Sequence, residues 1–144
     1  MILTDEQLLR FSRQIMLPDM DIAGQVNLVN SSVLIVGMGG LGCPASMYLA
    51  AAGVGHLYIA DDDVVEITNL QRQIAHGHIN LGESKVKSAA SILQDLNKDN
   101  LCQNLFQFLE NTRMRYLKKI DFLKKKKAFF IKFYLINKDF NRLI

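Results

Sequence analysis

Glycines fill the first, third and sixth positions of Gly37-Met38-Gly39-Gly40-Leu41-Gly42, with a fourth at Gly40. The segment follows the apolar run Val33–Val36 and precedes a stretch rich in small apolar residues. Asp61 stands 19 residues after Gly42, close to the ~20 of a nucleotide-binding fingerprint. Such glycines permit a tight turn and a close backbone approach. The helix behind them offers free N–H groups and a positive dipole to a phosphate, and the acid accepts from ribose hydroxyls. A tight strand-to-helix turn that binds nothing is the bland alternative, weakened by the acid on the next strand. Downstream, Asn69-Leu70-Gln71-Arg72-Gln73 and Lys85 add a guanidinium and an ammonium suited to phosphate oxygens. Lysine near a helix start opposes the dipole, which favours an anion nearby.

The elements that must hold these residues are legible. Thr4 with Gln7 three positions on is a capping-box start, and the helix it opens carries Leu8, Leu9, Phe11 and Ile15 on one side. Asp21 opens a second helix reaching Val29. Val33-Leu34-Ile35-Val36 reads as a parallel strand buried on both faces. Leu41 to Ala52 forms a helix ended by Gly53-Val54-Gly55. Leu57–Ala60 is the second strand, closed by Asp61-Asp62-Asp63, and Asn69 caps a short helix containing Arg72. Lys85 to about Leu96 is a longer helix with Val86, Ala89, Ala90 and Leu93 at helical spacing. Beyond Asn100, residues 101–109 read as a third strand and 111–123 as a basic helix. Residues 128–136 match neither strand alternation nor a helical stripe.

Taken together, Arg13-Gln14-Ile15, the glycine segment, Ala52-Gly53-Val54-Gly55, Asp61-Asp62-Asp63 and Asn69–Gln73 resemble the HesA/MoeB/ThiF family over roughly residues 4–100. These are adenylyltransferases related to ubiquitin-activating enzymes. The resemblance implies an α/β fold, a Rossmann-like parallel sheet flanked by helices, incomplete in this chain. It implies ATP-dependent adenylation of the C-terminal glycine of a ubiquitin-fold sulfur-carrier protein serving molybdopterin or thiamine synthesis. Gly37, Gly39, Gly40 and Gly42 would approach the phosphates and Asp61 would hold the ribose. Thr68, Asn69, Leu70, Gln71, Arg72 and Lys85 would line the nucleotide, with Arg13, Arg72 and Lys85 catalytic. Arg13 would reach into a partner subunit's site, which implies a homodimer. Asp63 is expected near Mg²⁺. A nicotinamide-dependent oxidoreductase and a non-catalytic nucleotide-binding remnant are the alternative readings.

Composition narrows the field. At 49% apolar and 22% charged, the chain is ordinary for a soluble domain. No apolar run approaches the ~20 residues that span a bilayer, and the amino terminus lacks a signal peptide's basic start. A cytoplasmic protein with no membrane or nucleic-acid partner is expected. Cys43 and Cys102 form no Cys-x-x-Cys pair, so the family's zinc site is expected to be missing. Cys43 reads as a small buried residue, and His76 and His78 as loop residues without a third zinc ligand.

Charge is uneven. Residues 1–100 hold 6 Lys+Arg against 11 Asp+Glu, a net −5, whereas 101–144 hold 11 against 3, a net +8. Seven of the eight Phe also lie beyond residue 100, and the last glycine is Gly82. Residues 1–100 are therefore read as the N-terminal part of an ATP-binding adenylation domain, 101–124 as its continuation and 125–144 as an aberrant basic and aromatic tail. The run Lys124–Lys127 is expected to mark a reading-frame slip, leaving a truncated chain of impaired activity and marginal solubility. A basic tail for nucleic acid or anionic lipid is the competing reading.

Overall fold

The computed structural model describes residues 2–104 and the backbone of 132–136. Its helices are α1 (Asp5–Arg10), α2 (Ser12–Ile15), α3 (Asp21–Val29), α4 (Gly42–Ala52) and α5 (Lys85–Leu96). Its strands are β1 (Ser32–Val36), β2 (His56–Ala60), β3 (Leu101–Asn104) and β4 (Lys132–Ile136). The sheet order is β3-β2-β1-β4. β1 and β2 pair in parallel with Val33 opposite Leu57 and Ile35 opposite Ile59, and β3 continues the parallel sheet with Cys102 opposite Leu57.

The apolar run of β1 behaves as a two-faced core strand. Val33, Leu34 and Ile35 are all buried, so neither face of the strand meets water. Ile35, Leu57 and Ile59 pack with Met38, Cys43, Ala50, Val86, Ala89 and Leu93, which joins the sheet to α4 and α5. The α5 spacing read from Val86, Ala89 and Leu93 is the face that reaches this core.

Three local readings change. The capping box at Thr4 forms, with Gln7 N–H donating to Thr4 Oγ1 at 3.2 Å and Thr4 N–H to Gln7 Oε1 at 3.1 Å. The helix behind it nevertheless stops at Arg10 and restarts at Ser12, so Leu8, Leu9, Phe11 and Ile15 do not share one side. Phe11 is buried, and Leu9 is 78% exposed. The break lets the Phe11 ring drop onto Gly53, where an added Cβ would stand 2.7 Å from Cζ. Gly53 also ends α4 in the left-handed region at φ 95°, so both space and conformation require glycine there.

Asn69 does not cap a helix around Arg72. It ends a short 3₁₀ turn, Ile67–Asn69, and its Oδ1 reaches back to accept from Glu66 N–H at 3.2 Å. Its backbone carbonyl accepts from both Arg72 and Gln73 N–H groups, so a tight turn satisfies the donors that a helix would otherwise have used.

The third change is β4, whose residues fall in the stretch that matched no regular pattern. It pairs antiparallel to β1, with Leu34 opposite Tyr134, and so covers the edge of the central strand. The sheet is thus three parallel strands plus one antiparallel neighbour. Residues 105–109, the 111–123 helix and the Lys124–Lys127 run lie outside the described residues.

Candidate nucleotide site

The glycine turn leaves β1 at Gly37, whose N–H donates to Ala60 O at 2.8 Å and whose φ is 100°. At Gly42 a Cβ would collide with the Gly37 carbonyl, so the first and sixth glycines close the turn against each other. Gly39 and Gly40 sit at its open side. Neither N–H finds a protein acceptor among the described residues. They stand at the N-terminus of the 11-residue α4, where the helix dipole favours an anion.

The acid at the end of β2 braces this turn. Asp61 Oδ2 accepts from Met38 N–H at 2.6 Å, and Oδ1 accepts from Asp63 N–H at 2.9 Å. Each carboxylate oxygen keeps a further lone pair for an incoming hydroxyl.

Arg72 comes to the loop from the other side. Its Nη1 donates to Thr68 O at 3.0 Å, which folds the side chain back over its own turn. A Cβ on Gly40 would then lie 3.4 Å from Arg72 Cδ and 3.8 Å from Nε, so the arginine stem covers Gly40. Gln73 lies beside Gly39 in the same way, its Nε2 3.9 Å from where a Cβ would be. Gln73 is buried, and its Oε1 has no partner among the described residues. Thr68 and Gln71 are exposed, Leu70 is half-buried, and Asn69 is buried by the 3₁₀ turn.

Lys85 opens α5. The bridge between Val64 and Ser84 brings the acidic turn against this helix start, and Lys85 N–H donates to Asp63 O at 3.1 Å. The Lys85 ammonium, buried, pairs with Asp63 Oδ2 at 2.8 Å. An anionic group does sit at this lysine, and it is a protein carboxylate. Lys85 and Asp61 both act electrostatically on Cys43, directly behind the loop. Burial is the main cause that pushes the Cys43 thiol upward, which suits the buried structural residue read from sequence.

Arg13 is not brought into this arrangement. It lies exposed on α2 and makes no hydrogen bond or ion pair with the described residues. Its neighbour Gln14 instead donates to Gln25 Oε1 at 2.7 Å and to the Ala52 carbonyl at 3.0 Å, fastening α2 to the C-terminus of α4.

The fit to magnesium is poor among these residues. The carboxylates of Asp61, Asp62 and Asp63 lie within 4.8 Å of one another, an oxygen set of the right chemistry. Asp61 already accepts two backbone N–H groups and Asp63 Oδ2 pairs with Lys85, so a dication there would stand close to an ammonium of like charge.

His76, which the sequence marks only as a loop residue, lies behind the turn. His76 is buried, its Nε2 3.2 Å from Met38 O and its Nδ1 2.9 Å from Ser88 Oγ. Nothing in its spacing from the glycines announces this contact.

A profile of the ThiF family matches residues 11–125. The chain belongs to the ThiF family. It is 52% identical over 100 residues to the mouse (Mus musculus) "Adenylyltransferase and sulfurtransferase MOCS3", covering 69% of this chain and 22% of that protein. The Drosophila sechellia protein of the same name is 57% identical over 95 residues, covering 66% and 21%. Among solved structures, PaaA matches with a TM-score of 0.67 at 31% identity, over 73% of this chain and 35% of that one. E. coli TcdA, a tRNA N6-threonylcarbamoyladenosine dehydratase in complex with ATP, matches with a TM-score of 0.66 at 26% identity, covering 72% and 42%. E. coli MccB with ATP matches with a TM-score of 0.60 at 30% identity, over 66% and 29%. The chain thus spans about a fifth of the curated relatives and about a third of these structures. The Rossmann-like fold of the family is the one observed. No helix among the described residues is long and apolar enough to cross a membrane.

Proposed function

We propose that this chain carries the nucleotide-binding half of an adenylyltransferase that activates the C-terminal carboxylate of a ubiquitin-fold sulfur-carrier protein with ATP. The observation that carries the reading is the pairing of unfilled Gly39 and Gly40 N–H groups with the Arg72 side chain lying over Gly40. Dipole, donors and guanidinium converge where a phosphate group would be held. The names of the relatives, an adenylyltransferase and two ATP-bound enzymes, support ATP as the substrate.

In the reaction, a carrier carboxylate oxygen bonds to the α-phosphorus while the bond from that phosphorus to the bridging oxygen breaks. Pyrophosphate leaves with the electron pair, and no proton need move. Such chemistry relies on in-line positioning and charge neutralisation. Gly37, Gly39, Gly40 and Gly42 shape the phosphate cradle. Asp61 receives the ribose, and Thr68, Asn69, Leu70 and Gln71 border the nucleotide. Arg72 and Lys85 bear the developing negative charge, with Lys85 turning from Asp63 toward phosphate. Arg13, free on its helix, acts in the partner site of a homodimer. Molybdopterin or thiamine synthesis is the setting, in the cytoplasm. Residues 1–100 form the N-terminal part of the adenylation domain and 101–124 continue it, while the 125–144 tail lays its residues 132–136 against β1.

ATP–pyrophosphate exchange with a purified ubiquitin-fold carrier tests this. Exchange dependent on the carrier and lost by about a hundredfold or more in Arg72→Ala supports the proposal. Binding of NAD without exchange overturns it in favour of an oxidoreductase. Binding of neither nucleotide leaves a non-catalytic remnant.

A further inference from the structure

We infer that His76 is a positioning residue that aims the Gly39 N–H at the nucleotide by holding the Met38 carbonyl into the core. The inference rests on the nucleotide-binding reading for its functional consequence and on the geometry of the turn for its structural one. His76 Nε2 lies 3.2 Å from Met38 O, and Cys43 Sγ lies 3.2 Å from the same oxygen. A carbonyl can only accept, so Nε2 carries a hydrogen whichever way the ring is charged. In the neutral ring the Met38 carbonyl thus selects the tautomer, and Nδ1 accepts from Ser88 Oγ at 2.9 Å. The opposite end of the same residue is held as well, because Met38 N–H donates to Asp61 Oδ2.

The consequence follows from the peptide bond. The Met38–Gly39 unit is planar and trans, so the Met38 C=O and the Gly39 N–H point in opposite directions. With the carbonyl fixed inward between an imidazole and a thiol, the Gly39 N–H faces outward, where no acceptor among the described residues meets it. Without the His76 hydrogen bond, the weaker thiol donor alone holds this carbonyl inward, and the peptide beside Gly39 rotates more readily.

Amide hydrogen exchange and ATP titration on the full chain test the inference, using His76→Ala, His76→Gln and Ser88→Ala. Glutamine keeps a donor where Nε2 stood. The expected result is exchange at the bonded amides of Met38 and Cys43, held by Asp61 Oδ2 and Gly39 O, faster by about tenfold in His76→Ala, the size of one lost hydrogen bond, with β1 and α5 unaltered. ATP affinity falls by a similar factor. His76→Gln restores both, and Ser88→Ala shows the same pattern more weakly. Unchanged loop exchange in both His76→Ala and Ser88→Ala overturns the inference. Acceleration spread evenly over β1, β2 and α5 without rescue by glutamine also overturns it, since that is the behaviour of core packing alone. If loop exchange responds while the wild-type chain binds no ATP, the positioning role stands and the nucleotide reading fails.

Discussion

Lys85 is held by Asp63 across a 2.8 Å ion pair in which the lysine side chain is 6% exposed and the aspartate 67%. The asymmetry means that the two partners depend on the pair unequally. The solvated carboxylate can turn away to water, whereas the buried ammonium requires an anion beside it. Asp63→Asn should therefore lower unfolding free energy by about 1–2 kcal/mol in urea, less than for a fully buried pair. Lys85→Met should stay near wild-type stability yet lose at least about tenfold in ATP affinity, because it removes charge while keeping the packed stem. Equal ATP binding by Lys85→Met and wild type would reject a phosphate role for this lysine.

Gly42 and Gly39 separate folding from binding. Gly42→Ala sets a methyl against the Gly37 carbonyl and should cost about 3 kcal/mol or more. Gly39→Ala meets only Gln73 Nε2 at 3.9 Å, so its stability should change by less than about 1 kcal/mol. Its ATP affinity should nevertheless drop, because the methyl stands where the phosphate needs the backbone. Urea unfolding and ATP titration on both variants check this, and a Gly42→Ala protein as stable as wild type would contradict the packing.

Asp61→Asn probes a carboxylate that works twice. Both oxygens accept backbone N–H groups, and an amide can keep only one of these bonds. A loss of about 1–3 kcal/mol is expected from the turn alone. Weaker adenosine as well as weaker ATP binding would place the ribose here. A loss confined to ATP would move the acid's role to the loop.

The thiols set an alkaline limit. Burial raises Cys43, and it pushes Cys102 on β3 from 9.0 up to about 12. The folded state therefore keeps a proton that the unfolded chain releases. Stability from Cys102 is fully present below about pH 9 and is lost as pH rises from there toward 12. The slope is on the order of 1 kcal/mol per pH unit for one group. Urea midpoints at pH 8 and pH 10.5 should differ, and Cys102→Ser should flatten the difference. An unchanged slope in that variant would refute the assignment.

Much of this was readable from short-range pattern. The glycine spacing, the apolar run of β1, the helical stripe of Val86, Ala89 and Leu93, and the capping box at Thr4 all depend on neighbours within about one turn or one strand. Chain order alone preserves such information. The departures came where a distant group intervened. Phe11 left its helix for Gly53 and residues 132–136 became a strand beside β1, whereas Asn69 bonded to its near neighbour Glu66. β4 carries no pattern of its own, so only the β1 edge gives it an extended form.

The sequence by itself determined the family's nucleotide fingerprint, because glycine geometry and strand hydrophobicity are local properties of the chain. Only the tertiary structure decided what each polar group does. Asp61 clasps Met38, Asp63 holds Lys85, Arg72 lies across Gly40, and His76 fixes the peptide ahead of Gly39. Those partners lie 22 to 38 residues apart. A hydrogen bond needs its partner within about 3 Å, and no spacing in the chain sets that distance before the sheet and helices have packed.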